Sequence, residues 1–241
     1  MSAPVGPAES SGGAPSAPWR IVPNRASVVS LLGLSCGVGA PLLAFAGRPW
    51  LGLVAMMAAG IADMLDGVIA RRMALSQDEA RIGETLDSLV DAVSFGAGVA
   101  LWAVAAGLRS PLDLALAVLY TLAAVWRLAT FTVIGVGERA GADPDAAPES
   151  RRVYTGLPVT WAALVLPLLA LIALVAPAHT ASALRVGLIA LPLLFLSGLP
   201  VPRPGLRGMI GLGLLFLVFA GVYVVAALSG RAWPLTAGGA P

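Results

Sequence analysis

The sequence predicts an all-α protein, a polytopic bundle of membrane-spanning helices. Three observations lead there. Of 241 residues, 58% are hydrophobic and only 12% charged, with a mean hydropathy of +0.88, whereas soluble domains carry about 25% charged residues. Apolar runs long enough to cross about 30 Å of hydrocarbon, at about 1.5 Å of helix per residue, recur along most of the chain. The arginines, Arg127 and Arg185 excepted, fall between those runs rather than inside them.

Residues 1–18 are rich in Pro, Gly, Ser and Ala and nearly uncharged, the composition of a disordered tail. Residues 19–27 hold Trp19, Arg20 and Arg25 around Pro23-Asn24 and suit an interfacial segment at the membrane surface. Apolar spans then follow at 28–46, 50–70, 84–107, 112–136, 157–176, 183–201 and 208–228. Pro192 and Gly198 make the sixth the weakest of these. The sequence thus divides into the tail, the interfacial segment, a membrane domain over 28–201, and a further helix with its tail over 202–241.

All 15 basic residues are arginine, and the net charge of +2 leaves no nucleic-acid footprint. With the N-terminus inside, ten arginines fall in cytoplasmic segments and four outside, while Arg127 lies within the fourth span. That asymmetry follows the positive-inside rule and turns the connection over 71–83 toward the cytoplasm. Cys36 is the only cysteine, which excludes an internal disulfide and a cysteine zinc cluster. His179 is the only histidine and has no second histidine to complete a ligand set.

The chemistry concentrates in residues 63–91. Carboxylates in hydrocarbon are costly and mark functional sites by default. Asp63 and Asp66 are three apart on the second predicted helix, and Asp87 and Asp91 are four apart on the third, so each pair shares a helix face. The short connection makes the two helices antiparallel neighbours and lets all four carboxylates converge. Such a cluster calls for cations; hard divalent ions with oxygen ligands, Mg²⁺ or Mn²⁺, fit best. A pair of ions about 4 Å apart suits phosphoryl chemistry. Gly67 removes a side chain where a nucleotide would approach, Gly83 does the same on the third helix, and Arg71 offers a fork of phosphate donors. Taken singly, each of these residues has a structural explanation: packing glycines, anchoring arginines, a paired aspartate.

Taken together, Asp63-x-x-Asp66-Gly67-x-x-Ala70-Arg71 and Gly83-x-x-x-Asp87-x-x-x-Asp91 resemble the signature of the CDP-alcohol phosphatidyltransferases. The resemblance implies six core transmembrane helices, here with an extra C-terminal helix, and transfer of a phosphatidyl or similar group from a CDP-linked donor to an alcohol with release of CMP. It implies Asp63, Asp66 and Asp87 as metal ligands, Asp91 as ligand and general base, and Gly67 and Arg71 as contacts of the CDP moiety. One departure is visible. Eleven residues, 72–82, separate Arg71 from Gly83 where relatives have eight. Three residues added inside a helix would turn Asp87 and Asp91 by about 300°, so the insertion is expected in the turn. Ser76 is the candidate for the small hydroxyl residue that several relatives carry near the nucleotide.

Outside the signature, Leu86–Gly96, Ile21-Val22-Pro23-Asn24, Trp126-Arg127-Leu128-Ala129 and Tyr154-Thr155-Gly156-Leu157-Pro158 resemble the bacterial phosphatidylserine synthase branch of that family. This branch implies CDP-diacylglycerol as donor, L-serine as acceptor, a bacterial inner membrane with the site facing the cytoplasm, and substrate contacts from Pro23, Asn24 and Arg127. Arg127 either binds the serine carboxylate or pairs with an aspartate. The branch continues the Arg-Leu-Ala run with Arg-Phe-Asn, whereas this chain reads Thr130-Phe131-Thr132, which leaves glycerol 3-phosphate, an inositol phosphate or choline open as acceptors. A homodimer is expected from small-residue helix faces and from the resemblance. An ion-coupled transporter is the reading from another class, and it predicts broken helices in two repeated halves, not four acids in one hairpin. A catalytically dead scaffold of the same fold is the third.

Overall fold

The computed structural model describes residues 23–140, 153–202 and 205–235. Asn24 accepts the Ser27 amide at 2.9 Å and so starts helix α1, Arg25–Phe45, three residues before the expected span. The expected tail and residues 19–22 of the expected interfacial segment lie outside the described residues. A tight turn reverses the chain into α2, Pro49–Ala70, which packs along α1 for most of its length. The close fit of α1 to its neighbours needs small residues: a Cβ on Gly37 would come within 2.3 Å of the Ser94 hydroxyl.

After a turn at 71–76, α3 runs over Gln77–Asp91. It continues without a break through a π-helical turn, Ala92–Ala97, into α4, Gly98–Ala105, so that 29 residues form one apolar rod. The wider π turn frees a carbonyl that the Tyr120 hydroxyl takes up, 2.7 Å from the Phe95 oxygen. Tyr120 belongs to α5, Pro111–Ala140, whose start is closed by a reciprocal cap between Ser110 and Asp113. Arg185 then ties α8 (Thr180–Phe195) to α5 through Asp113, Nε to Oδ1 at 2.6 Å.

Among the described residues, six helices of 19 residues or more are apolar enough to cross a membrane: α1, α2, the α3–α4 rod, α5, α8 with the 3₁₀ turn before it, and α9, Leu206–Leu228. The fifth expected span is a shorter apolar helical segment. Over Val159–Val175 it is a 3₁₀ turn followed by α6, Ala162–Ala170, and α7, Ile172–Val175. Proline explains the shortening: Pro158 precedes the segment, Pro167 removes a backbone donor within it, and Pro177 follows. The sixth span, expected to be weakest, is continuous through Pro192, although it ends at Phe195 rather than at 201.

Among the described residues, two three-residue strands accompany the helices. β1, Val153–Thr155, pairs antiparallel with β2, Pro200–Pro202. Gly156 follows β1 with φ +78°, and a Cβ there would collide with the Phe195 and Ser197 carbonyls. This clasp holds Leu157-Pro158 against the end of α8, where the Leu157 amide donates to the Leu194 carbonyl at 3.0 Å.

At the opposite end of the bundle, residues 229–235 fold back over an aromatic cluster. Trp233 is buried edge-on against Trp50 and Trp102, and its indole donates to the Ala106 carbonyl at 2.6 Å. Trp50 in turn donates to the Arg231 carbonyl at 2.8 Å. Trp233→Ala is therefore expected to destabilise the protein by about 3–5 kcal/mol, measured as a lowered midpoint of unfolding in detergent. An unchanged midpoint would show that this clasp contributes nothing.

Candidate active site

α2 and α3, joined by the 71–76 turn, carry the four aspartates: Asp63 and Asp66 in the last turns of α2, Asp87 and Asp91 in the last turns of α3. One carboxylate oxygen each from Asp63, Asp66 and Asp87 lies within 4.8 Å of the others. The helical spacing does this: the pair on α2 is three positions apart and the pair on α3 four, so both pairs face the shared groove. Burial is graded, with Asp66 and Asp91 buried, Asp63 half-buried and Asp87 exposed. Asp91 lies deeper, outside the three-oxygen cluster but within hydrogen-bonding reach of Asp63, and its Oδ1 has no hydrogen-bond partner among the described residues. It is the last residue of α3 before the π turn, which fixes where its side chain enters the groove.

The eleven-residue stretch between Arg71 and Gly83 is accommodated as expected, without rotating the second pair away from the first. Part of it is turn and part is the first turns of α3. Ser76 caps that helix: its hydroxyl accepts from the Glu79 amide while its own amide donates to Glu79 at 2.8 Å. Gly83 sits one turn before Asp87, and nothing lies within 4 Å of where a Cβ would be. Gly67 leaves room for Arg71, whose Nη1 lies 3.4 Å from the same imagined atom.

A cleft of about 280 Å³ brings all four aspartates together with Arg127, Ser88 and Thr132. Arg127 is buried, its guanidinium 5.0 Å from the centre of the Phe131 ring. The Ser88 and Thr132 hydroxyls meet at 3.2 Å across α3 and α5. Pro158 and Thr160 close the cleft from the clasped segment after β1. Pro23 and Asn24 are not brought to this cleft. They line a separate cavity of about 210 Å³ with Glu79 and Leu86, and the Asn24 side chain is engaged as the α1 cap. Ser76 likewise lines neither cavity.

The residue that the sequence reading missed is Ser30. From α1 its hydroxyl reaches Asp66 Oδ2 at 2.6 Å, a buried contact between positions 36 apart. A buried carboxylate needs donors, but which hydroxyl supplies one here is set by the packing of α1 on α2 and not by local sequence. Glu84, Ser88, Thr132 and Thr160 were also missed.

Three carboxylates this close repel one another strongly in a medium less polar than water. An all-oxygen donor set with a neighbouring carboxylate oxygen still unpartnered fits a hard divalent cation. Partners that orient ligating carboxylates typically affect metal affinity by about 10–100-fold. Ser30→Ala is accordingly expected to weaken Mn²⁺ binding by about 10-fold or more, read by titrating the purified protein with the ion, while the melting midpoint stays close to that of the parent. Unchanged Mn²⁺ affinity would leave Ser30 a packing residue.

Known proteins bear on this arrangement in two ways. Residues 155 long in alignment are 32% identical to the CDP-diacylglycerol–serine O-phosphatidyltransferase of Mycobacterium leprae, covering 63% of this chain and 47% of that protein. The proteins of the same description from Mycobacterium tuberculosis and Saccharomyces cerevisiae are 31% and 36% identical over 133 and 105 residues; these cover 55% and 43% of this chain, and 43% and 36% of those proteins. The chain thus spans about half the length, or less, of these curated relatives. The model of the CDP-alcohol phosphatidyltransferase family matches residues 21–197, a range that holds α1 to α8 and all four aspartates. With that match extending over well more than half of its length, the chain belongs to the CDP-alcohol phosphatidyltransferase family.

Proposed function

We propose that this protein transfers a phosphatidyl group from CDP-diacylglycerol to the hydroxyl of L-serine, giving phosphatidylserine and CMP. The observation that carries the reading is the cluster of Asp63, Asp66 and Asp87 oxygens within 4.8 Å, in one cleft with Asp91 and Arg127. The serine O-phosphatidyltransferases among its relatives support the choice of acceptor.

Asp63, Asp66 and Asp87, with Asp91 beside them, would hold Mg²⁺ or Mn²⁺, as a pair of ions. When bound, the ions supply charge neutralisation at the pyrophosphate and at the departing phosphate. The protein's own groups do the rest. Gly67 and Gly83 leave space at the backbone for the nucleotide, and Arg71 offers a planar fork of donors to its phosphates. Arg127 meets the serine carboxylate from the inner wall of the cleft. Asp91 accepts the hydroxyl proton. As the serine oxygen bonds to the phosphorus bearing diacylglycerol, the bond from that phosphorus to the bridging oxygen breaks, and CMP leaves with the electron pair. Residues 28–201 form the catalytic membrane domain in this reading. The arginine asymmetry turns the cleft to the cytoplasmic side of a bacterial inner membrane, and a homodimer is its assembly.

One observation favours a second reading, the same reaction with another alcohol. Thr132, where the resembling branch carries Asn, lines the cleft and bonds Ser88. A panel of acceptors decides between them: the purified protein, CDP-diacylglycerol and Mn²⁺ are offered L-serine, glycerol 3-phosphate, an inositol phosphate or choline, and CMP is measured. CMP release with L-serine above the others is expected. Release with glycerol 3-phosphate and none with serine would overturn the acceptor assignment while leaving the reaction class intact.

A further inference from the structure

A second, larger cavity of about 660 Å³ opens beside Asp63. It shares Asp63, Pro158 and Thr160 with the aspartate cleft, so the two adjoin. Its character is different. One wall is α2, through Gly60, Met64 and Val68, and the facing wall is α9, through Met209, Leu212 and Phe216. Arg71 and Arg72, both exposed, stand at its polar end.

Helix α9 is two-faced in a way that suits a chamber wall. Met209, Leu212 and Phe216 are spaced by three and four and share one side of the helix. Leu214, Leu217 and Val218 are about 60% exposed and point outward, as lipid-facing residues do. Phe216 is buried at 4% exposure and closes the floor: its Cζ lies 3.2 Å from where a Cβ on Gly60 would be, one turn of α2 from Asp63. The chamber therefore runs from a cationic mouth, past the metal-ligand candidate Asp63, to an aromatic floor. A small polar acceptor gains nothing from a wall of Met, Leu and Phe. An alkyl chain attached to a phosphate headgroup matches both ends.

We propose that α9 forms one wall of a chamber holding an acyl chain of the CDP-linked lipid donor, and that Met209, Leu212 and Phe216 set which chains the protein accepts. The inference rests on the donor assignment above and extends it to a helix beyond residues 21–197, the part matched by the family model.

The test is photolabelling of the full chain in nanodiscs with CDP-diacylglycerol carrying a diazirine at the chain end, followed by peptide mapping and, on the same sample, CMP release with the acceptor panel. Labelling of residues 206–220 and 60–68 that is displaced by unlabelled CDP-diacylglycerol, but not by phosphatidylcholine, is expected. Leu212→Trp should cut that labelling and raise the KM for a long-chain donor by about tenfold or more, with the KM for the acceptor alcohol unchanged; Leu214→Trp, on the outward face, should alter neither. Should Leu212→Trp fail to fold, the labelling map of the parent protein decides alone. Displaceable labelling confined to other helices, or CMP release with no displaceable labelling, overturns the α9 assignment and leaves the proposed reaction standing. Neither labelling nor CMP release would overturn both.

Discussion

Asp91→Asn is expected to lower turnover by about 10²–10⁴-fold, the range typical of a lost general base, while the protein still binds CDP-diacylglycerol. Asparagine keeps the shape of the side chain, so the π turn that begins at Ala92 and the packing of α3 on α5 should survive. What it removes is the acceptor of the serine proton. Asp91 is suited to that role by position: it is buried at the inner wall of the cleft, beside Arg127 and apart from the three-oxygen cluster, with one oxygen unpartnered among the described residues. The measurement is CMP release under saturating donor and acceptor, alongside donor binding to the same preparation. Near-normal turnover would show that Asp91 is not the base. Loss of donor binding together with turnover would instead assign Asp91 to the ligand set alone.

Asp66→Ala is expected to have a larger effect still. It removes one of three clustered ligand oxygens and leaves the Ser30 hydroxyl with the Ala26 carbonyl, at 3.1 Å, as its acceptor. Affinity for Mn²⁺ should fall by more than the roughly 10–100-fold lost with an outer partner, and CMP release should disappear at ion concentrations that saturate the parent. Direct titration with Mn²⁺ reads the first effect without depending on the second. The alanine also relieves carboxylate repulsion, so the ion-free protein should be at least as stable as the parent. A variant that binds Mn²⁺ as the parent does would remove Asp66 from the ligand set.

The candidate site was legible because it obeys local rules. Aspartates three and four apart on consecutive helices have to share faces, and a short polar connection has to bring those faces together. The insertion before Gly83 did not disturb this, since it falls ahead of Asp87 in a turn and in the capped start of α3. What escaped is non-local. Ser30 meets Asp66 across 36 positions, and nothing in the SVVSLL run distinguishes it from a packing serine. The same holds for the β1–β2 pairing, which joins Thr155 to Pro200 through three-residue strands too short to carry a periodic pattern. The π turn at 92–97 reads as ordinary helix in sequence and is recognised only with Tyr120 seated on its carbonyl.

The fold was legible for a related reason. Apolar length marked the spans but not the polar start of α3, residues 77–83, which were expected in the connection. Yet Pro192 left α8 continuous, while the segment 159–175, flanked by Pro158 and Pro177, is an apolar helical segment shorter than its neighbours. At the end of α6 the Leu171 amide turns to the Leu168 carbonyl, and the Pro167 carbonyl accepts the Tyr223 hydroxyl from α9 instead. Pro23 and Asn24 illustrate the converse. Their motif was read for substrate contact, and in the fold Asn24 is occupied in starting α1.

The central claim is that the aspartate cluster serves phosphatidyl transfer. The most direct test is to incubate the purified full-length chain with CDP-diacylglycerol and L-serine, with Mn²⁺ added or chelated, and to quantify CMP and phosphatidylserine together. The account predicts equal amounts of both products, formed only when ion and serine are present. No CMP under any combination of ion and alcohol, from a protein that remains folded, would contradict it.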